Sequence, residues 1–364
     1  MRSAAGCVAL GLVLLVVAGT FDAEPFYVTG SALVLLGAGA IGWIGLGAWG
    51  AQIHRTLGAR SVVEDEPLEV RVEAVAGRLP LPPGFVDEPL LPRPVPVRAG
   101  RRRSSLRIEA SFGRRGRRTL APPTLVLRDP LGLAQRTVAA AGGDEVLVLP
   151  RVHPVQVAPT GGEAAGASSR ALLTAAAETE PDGLRPHIEG SPASRIHWQS
   201  AARGGPLMER KLIAEADSRP LVVLDPRGAA TRDALDAAVR AAASLTVHFA
   251  RRAGCGLLLP GDRRATVIEP DLAGWPQAHV RLALLGEEQG PALHAAQNRR
   301  GLVVFVSARA VDRPPRALGR TPGGQLLVVP AELPGRRAVV AVAGCHGYVG
   351  ARSGSGAAVE AVGV

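Results

Sequence analysis

Two apolar helices followed by a β-rich domain and then an α/β domain is the fold class this sequence predicts, and three observations predict it. Residues 4–21 form an uncharged apolar run, and a second run from Phe26 to Ile53 follows after only four residues. Between about 61 and 150, apolar and polar residues alternate with period two between Pro- and Gly-rich breaks, the pattern of half-buried strands. Beyond 218, continuous apolar runs alternate with a helical i, i+3, i+4, i+7 pattern, as parallel strands and covering helices do. The expected order is a transmembrane hairpin (1–55), a β-rich, sandwich-like domain (61–150), a linker (151–182), a junction loop (183–217), an α/β domain (218–350) and a disordered Gly/Ser/Ala-rich tail (351–364).

An 18-residue helix rises about 27 Å, near the ~30 Å of a bilayer core. Asp22, Ala23, Glu24 and Pro25 separate the two runs, so the helices turn back on each other. Phe21, Phe26 and Tyr27 fall at one interface and Trp49 at the other. Gly39, Gly42, Gly45 and Ala48 offer a small-residue stripe for close approach to the first helix. A cleaved signal peptide is the alternative for the first run, but no small-x-small cleavage site precedes Asp22. Arg2 flanks one end, His54, Arg55 and Arg60 the other, and the turn carries Asp22 and Glu24. The positive-inside rule then puts both ends, and everything after residue 55, in the cytoplasm.

In the β-rich stretch, Leu68, Val70 and Val72 alternate with Glu69, Arg71 and Glu73, and Leu106, Ile108, Ala110 and Phe112 with Arg107, Glu109 and Ser111. The seven prolines between 80 and 96 predict an extended loop or edge rather than a central strand for 78–96. The chain carries a formal charge of +10, with Lys211 its only lysine. Between Arg93 and Arg118 ten arginines face one acid, Glu109, so that window accounts for nearly all the excess. Arg101, Arg102, Arg103, Arg114, Arg115, Arg117 and Arg118 are its clusters. They read as a solvated face, as a patch for anionic lipid headgroups, or as a nucleic-acid surface. Aromatic content of 3% and the lack of any nucleic-acid-reading motif argue against the last. Cys7, Cys255 and Cys345 are widely spaced and odd in number, and no Cys/His spacing suits zinc.

In the α/β half, Leu221–Leu224 form a buried strand ending in Asp225, and Thr231 caps a helix that Gly254 stops. Further strands are expected at 256–259, 302–306, 326–329 and 339–342, with a helix from Pro276, in a mostly parallel, doubly wound sheet. Asp225 would then sit where ligands of such sheets gather. No phosphate loop, Gly-x-Ser-x-Gly elbow or His-Glu-x-x-His occurs, and Ser200 beside His187 or His197 makes no triad by sequence proximity. Nothing in the sequence points to an enzyme or a cofactor.

Between the two halves the chain reads Arg185-x-x-x-x-Gly190-x-x-x-x-Arg195-Ile196-His197-Trp198-x-x-x-Ala202-Arg203. A second pattern runs from Arg114-Arg115-Gly116-Arg117 through Pro122-Pro123 to Arg128-Asp129-Pro130-Leu131-Gly132-Leu133. Together they resemble the bacterial family called domain of unknown function fifty-eight: membrane-anchored proteins with a von Willebrand factor A-like domain, often encoded beside MoxR-type AAA+ ATPases. Where that family shows Tyr-x-Pro-Gly-Asp this chain has His187 to Ser191, so the carboxylate is missing. The resemblance implies a docking protein whose partner is a MoxR-type ATPase, with Arg185, Gly190, Arg195, His197, Trp198 and Arg203 as candidate partner-binding residues. Trp198 reads equally as a packed anchor of the loop. It also implies that Asp225 stands in a degenerate metal site. The family pattern is Asp-x-Ser-x-Ser, but Arg227 and Ala229 occupy the two serine positions. A structural Asp225, an internal Asp225–Arg227 pair and a metal ligand all remain open from the sequence.

Overall fold

The computed structural model describes residues 2–157, 184–186, 202, 207–210, 219–287, 289–297, 299–319, 321 and 323–349. It divides into two compact units, 1–113 with 117–148, and 114–116 with 149–364.

The first unit opens with helices α1 (Arg2–Phe21) and α2 (Glu24–Gly47). Their mean hydropathies are 2.4 and 1.7, and each is long and apolar enough to cross a membrane. Leu10, Val13, Val16, Leu35, Leu36 and Trp43 point outward uncovered by protein, an apolar surface that water disfavours. Asp22, at φ 53°, reverses the chain between them. The helices approach through glycine, though not through the stripe expected. A Cβ on Gly37 would lie 2.7 Å from the Ala4 carbonyl oxygen, and one on Gly11 2.7 Å from that of Gly30. Around Gly39, Gly42 and Gly45 there is open space. The second apolar run also ends sooner than its hydropathy suggests. The helix stops at Gly47, and Ile53 lies in a strand.

Ten strands complete this unit: β1 (Gln52–Leu57), β2 (Ser61–Val63), β3 (Leu68–Val75), β4 (Gly84–Asp87), β5 (Val95–Val97), β6 (Arg103–Ala110), β7 (Gly116–Leu120), β8 (Thr124–Arg128), β9 (Gln135–Ala139) and β10 (Asp144–Leu149). They form three small sheets, β1-β3-β6, β2-β10-β7 and β5-β4-β8-β9. The expected strand alternation is seen on β3, where Leu68, Val70, Val72 and Ala74 are buried between outward polar residues. The 78–96 segment differs from expectation, because β4 is an inner strand between β5 and β8. Prolines 80, 82, 83 and 89 flank it, and the one proline inside a strand, Pro96, sits on the edge strand β5, where no ladder donor is needed. Ala40, Ile44 and Ala48 of the helical end share one core with Ile53, Leu81, Val86, Leu125, Val146 and Val148.

The second unit is built on an eight-stranded sheet. Its strands are β11 (Gln156–Val157), β14 (Leu221–Asp225), β15 (Cys255–Leu258), β16 (Thr266–Ile268), β17 (Val303–Ser307), β18 (Gln325–Val329), β19 (Val340–Val342) and β20 (Cys345–Val349), in the order β11-β19-β20-β18-β17-β14-β15-β16. A separate pair, β12 (Leu184–Pro186) with β13 (Met208–Arg210), is antiparallel. Pairings among β15, β14, β17 and β18 are parallel, whereas β16, β20, β19 and β11 join antiparallel. The sheet is therefore mixed rather than mostly parallel. Helix α3 (Arg232–Ala253) is capped by Thr231, whose hydroxyl accepts from the Ala234 N–H at 3.1 Å, and ends at Gly254. It packs with α4 (Trp275–Leu284) on one face against Val222, Leu224, Leu257, Val304 and Val328. On the other face Leu221, Val223, Leu258, Phe305 and Leu327 are covered by 3-10 turns at Leu293–Ala296 and Arg316–Leu318, so among the described residues α-helices line one side only. The short strands β16 and β20 escape sequence reading because β16 spans only three residues and His346-Gly347 interrupt the apolar pattern of β20.

Two predictions follow from packing. Gly11→Ala or Gly37→Ala is expected to destabilise the helical pair by about 1–3 kcal/mol, as overpacking does, while Gly42→Ala leaves the thermal midpoint in detergent unchanged. Cys255 and Cys345 are fully buried, and burial pushes both thiols up to about 12 from 9.0. The unfolded chain then loses these protons first, so their contribution is intact below pH 9 and declines from pH 9 toward 12. Thermal midpoints measured across that window are expected to fall less steeply in a Cys255→Ala/Cys345→Ala variant.

Candidate functional site

Strand β14 runs into α3, which returns the chain to β15 on one side, whereas β17, on the other side of β14, leads on to β18. The chain thus diverges at the carboxyl ends of β14 and β17, the crevice where open α/β sheets hold ligands. Asp225 and Ser307 are register partners there, and the Ala308 N–H donates to the Asp225 carbonyl at 2.9 Å. Gly228 turns the chain at φ 68° just before the helix.

The Asp225 carboxylate faces Arg227. Nε of Arg227 donates to Oδ1 at 2.9 Å, Nη2 to Oδ2 at 2.9 Å, and the Arg227 backbone N–H to Oδ1 at 3.2 Å. This fork-on-fork pairing raises the guanidinium pKa above its ordinary value, through the hydrogen bonds first and the carboxylate charge second. The Arg227 side chain remains 54% exposed and that of Asp225 13%. Gly290 lies against the guanidinium, whose flexible end would have to shift for a side chain there, and the Arg309 stem packs beside Gly228.

A divalent cation does not fit these residues. Magnesium needs oxygen ligands in near-octahedral array, but both Asp225 oxygens are held by one guanidinium. Arg227 and Ala229 bring no hydroxyl, and the Ser307 hydroxyl donates to the Arg309 carbonyl at 2.8 Å while accepting from its N–H at 3.2 Å. Among the described residues no three His, Cys, Asp or Glu side chains group as metal ligands do.

Searches of protein-family models and of curated proteins find no match.

The arginine clusters read from the sequence are divided by the structure. Arg101, Arg102 and Arg103 are exposed in the first unit. Arg114 and Arg115 belong to the second. Arg115 is no lipid-facing residue: it is 6% exposed, pairs with Asp236 at 3.0 Å and donates to the Leu285 carbonyl near the end of α4 at 3.1 Å. Arg114 meets Asp233 at 2.8 Å, and Arg117 meets Glu145 at 3.3 Å. Arg118 is half-buried on β7. Gly190, Arg195, His197, Trp198 and Arg203 lie outside the described residues, and Arg185 is placed only by the backbone of β12. The 351–364 tail and the 158–182 part of the linker lie outside them as well.

One cluster had no sequence signal. Arg55 flanks α2 in the sequence like a membrane-surface cation, yet its side chain is 1% exposed on β1. It donates to Glu88 at 2.9 Å, to Asp144 at 2.6 Å, and to the Leu120 and Ala121 carbonyls. Its partners lie 33 and 89 positions away, a separation that no local pattern discloses.

The two arginine–carboxylate pairs are expected to differ sharply on removal. Arg55→Ala strands the buried Glu88 charge and is expected to destabilise the chain by about 3–5 kcal/mol. Arg227→Gln breaks a half-exposed pair and is expected to alter stability by less than ~1 kcal/mol. Urea denaturation of the two variants in detergent measures both.

Proposed function

We propose that the chain is a non-enzymatic, membrane-tethered docking scaffold with its folded units on the cytoplasmic side of a bacterial cell membrane. The observation that carries this reading is the outward apolar surface of α1 and α2 together with the distribution of charge along them. Asp22 and Glu24 sit at the turn, whereas Arg2 begins α1 at the other end, next to the β domain with its exposed arginines. That asymmetry favours both helix ends facing the cytoplasm.

The second unit supplies the docking surface. A von Willebrand factor A-like reading of it is supported by the central order β16-β15-β14-β17-β18, with β16 antiparallel and Asp225 ending the first strand of the parallel set. The paired guanidinium of Arg227 at the switch point favours recognition without a metal over the cation-dependent alternative. From the resemblance in the 114–133 and 185–203 motifs, the partner proposed is a MoxR-type AAA+ ATPase that uses the scaffold to reach a client in assembly or activation of an envelope or secretion component.

Two measurements test this. A fluorescent reporter fused at the carboxyl end is expected to mature inside the cell, and an alkaline phosphatase fusion at the same place to stay inactive. Affinity purification of the full chain in detergent, with ATP and a slowly hydrolysed analogue, is expected to retain an AAA+ ATPase. An active phosphatase fusion, or a purified chain without the ATPase in every nucleotide state, overturns the reading.

A further inference from the structure

We infer that the foot of the helical pair is an anionic-phospholipid site, in which the loops of the β domain are seated on the leaflet by apolar wedges and a collar of arginines. This deepens the tether proposed above and rests on it. All the residues concerned lie in the first unit.

The foot is defined by contacts to the end of α2 and the start of α1. Gly47 lies against Pro82, and Gly77 against the backbone of Trp49 and Gly50. The Ala4 N–H donates to the Leu133 carbonyl at 3.0 Å. Only residues 48–51 connect α2 to β1, and the first β1 residue, Gln52, pairs with Val75, which pairs in turn with Arg103. Three strand ends and two loops therefore surround the point where the helices leave the sheets.

Those loops expose apolar side chains that the core does not use. Trp49 is 58% exposed, Leu79 44% and Leu131 63%. Leu131 is held out by a built turn. Buried Asp129 accepts from the Leu131 N–H at 3.0 Å and from the Ala134 N–H at 2.5 Å, and Gly132 closes the turn at φ 71°. This gives the Arg128-Asp129-Pro130-Leu131-Gly132-Leu133 pattern a physical purpose: the carboxylate shapes the turn and the turn presents the leucine beside α1.

Arginines cluster around the Trp49 and Leu79 wedges. Arg78 lies over the Trp49 ring at 4.7 Å. The Arg101 and Arg102 carbonyls accept from Leu81 and Ala76, which fixes these residues beside the same loop, and the side chains of Arg101, Arg102 and Arg103 are exposed. An exposed apolar residue flanked by guanidiniums, at the end of a helix that itself belongs in hydrocarbon, matches a lipid with acyl chains below and an anionic phosphate above. A nucleic-acid backbone would leave Trp49, Leu79 and Leu131 uncovered.

The test is native mass spectrometry of the full chain in detergent, titrated separately with dioleoylphosphatidylglycerol and dioleoylphosphatidylcholine. The wild type is expected to retain the anionic lipid about tenfold more tightly or better, given the worth of each basic residue at a bilayer surface. Arg101→Gln/Arg102→Gln/Arg103→Gln is expected to bring the two lipids level, while Arg117→Gln/Arg118→Gln on β7 keeps the preference. Leu131→Ser leaves the charges in place and is expected to weaken both lipids by the same factor. Equal retention by the wild type, a preference that survives the triple variant, or displacement by soluble glycerol phosphate or duplex DNA at matched concentration overturns the inference. A chain that stays monodisperse without detergent refutes the tether itself, whereas a detergent-dependent chain with no lipid preference refutes only the seat.

Discussion

The structure of the first unit depends on one continuous hydrophobic core that begins between two bilayer-length helices and ends between three sheets. Ile44 has no exposed surface although it lies in the last turn of a helix whose other faces are bare. It shares its core with Ile53 of β1 and with Leu81 of the loop before β4. Removing apolar area from water is the dominant favourable term in folding, at about 25 cal/mol per Å². At the foot, protein supplies that burial. Along the rest of the helices the apolar side chains have no protein cover. The two helices are thus not a leash on an independent domain but an extension of its core.

The same logic explains which features could be read in the sequence. Residue patterns of period two or 3.6 report burial on one face, so β3, β14 and α3, with its Thr231 and Gly254 caps, are visible at their correct positions. Short strands that lack a full period are not: β16 and β20 show only as fragments between glycines. The glycine packing of the hairpin was misread for a related reason. Gly39, Gly42 and Gly45 share a stripe, but which stripe faces α1 depends on the turn at Asp22 and on where the foot engages the sheets. Neither can be counted from spacing. At the switch point, Asp225 and Arg227 are legible as neighbours, and the structure pairs them in a fork. Arg114 and Arg115 mark the limit of composition: two arginines of a cationic window prove to be held by Asp233 and Asp236, and only the third dimension reveals it.

The crevice beyond β14 and β17 gives a second view of charge. In open α/β sheets the carboxyl ends of the strands, at the switch point, are where ligands gather. Here a covalently attached cation, the Arg227 guanidinium, occupies the acid in full. Such a pair cannot be emptied by chelation, although salt screens it because the guanidinium is half-exposed.

The buried Arg55 has a further consequence for how the protein is made. It is the fourth residue of the strand that follows the second helix, and Glu88 and Asp144 emerge from the ribosome 33 and 89 residues later. At roughly 5–20 residues per second, the last partner trails the arginine by a delay on the order of ten seconds. Throughout that interval the cation beside the helices still keeps its hydration shell. Closure of this unit is thereby ordered: a solvated arginine precedes both of its carboxylates, and the sheets can close over it only when synthesis has reached the tenth strand.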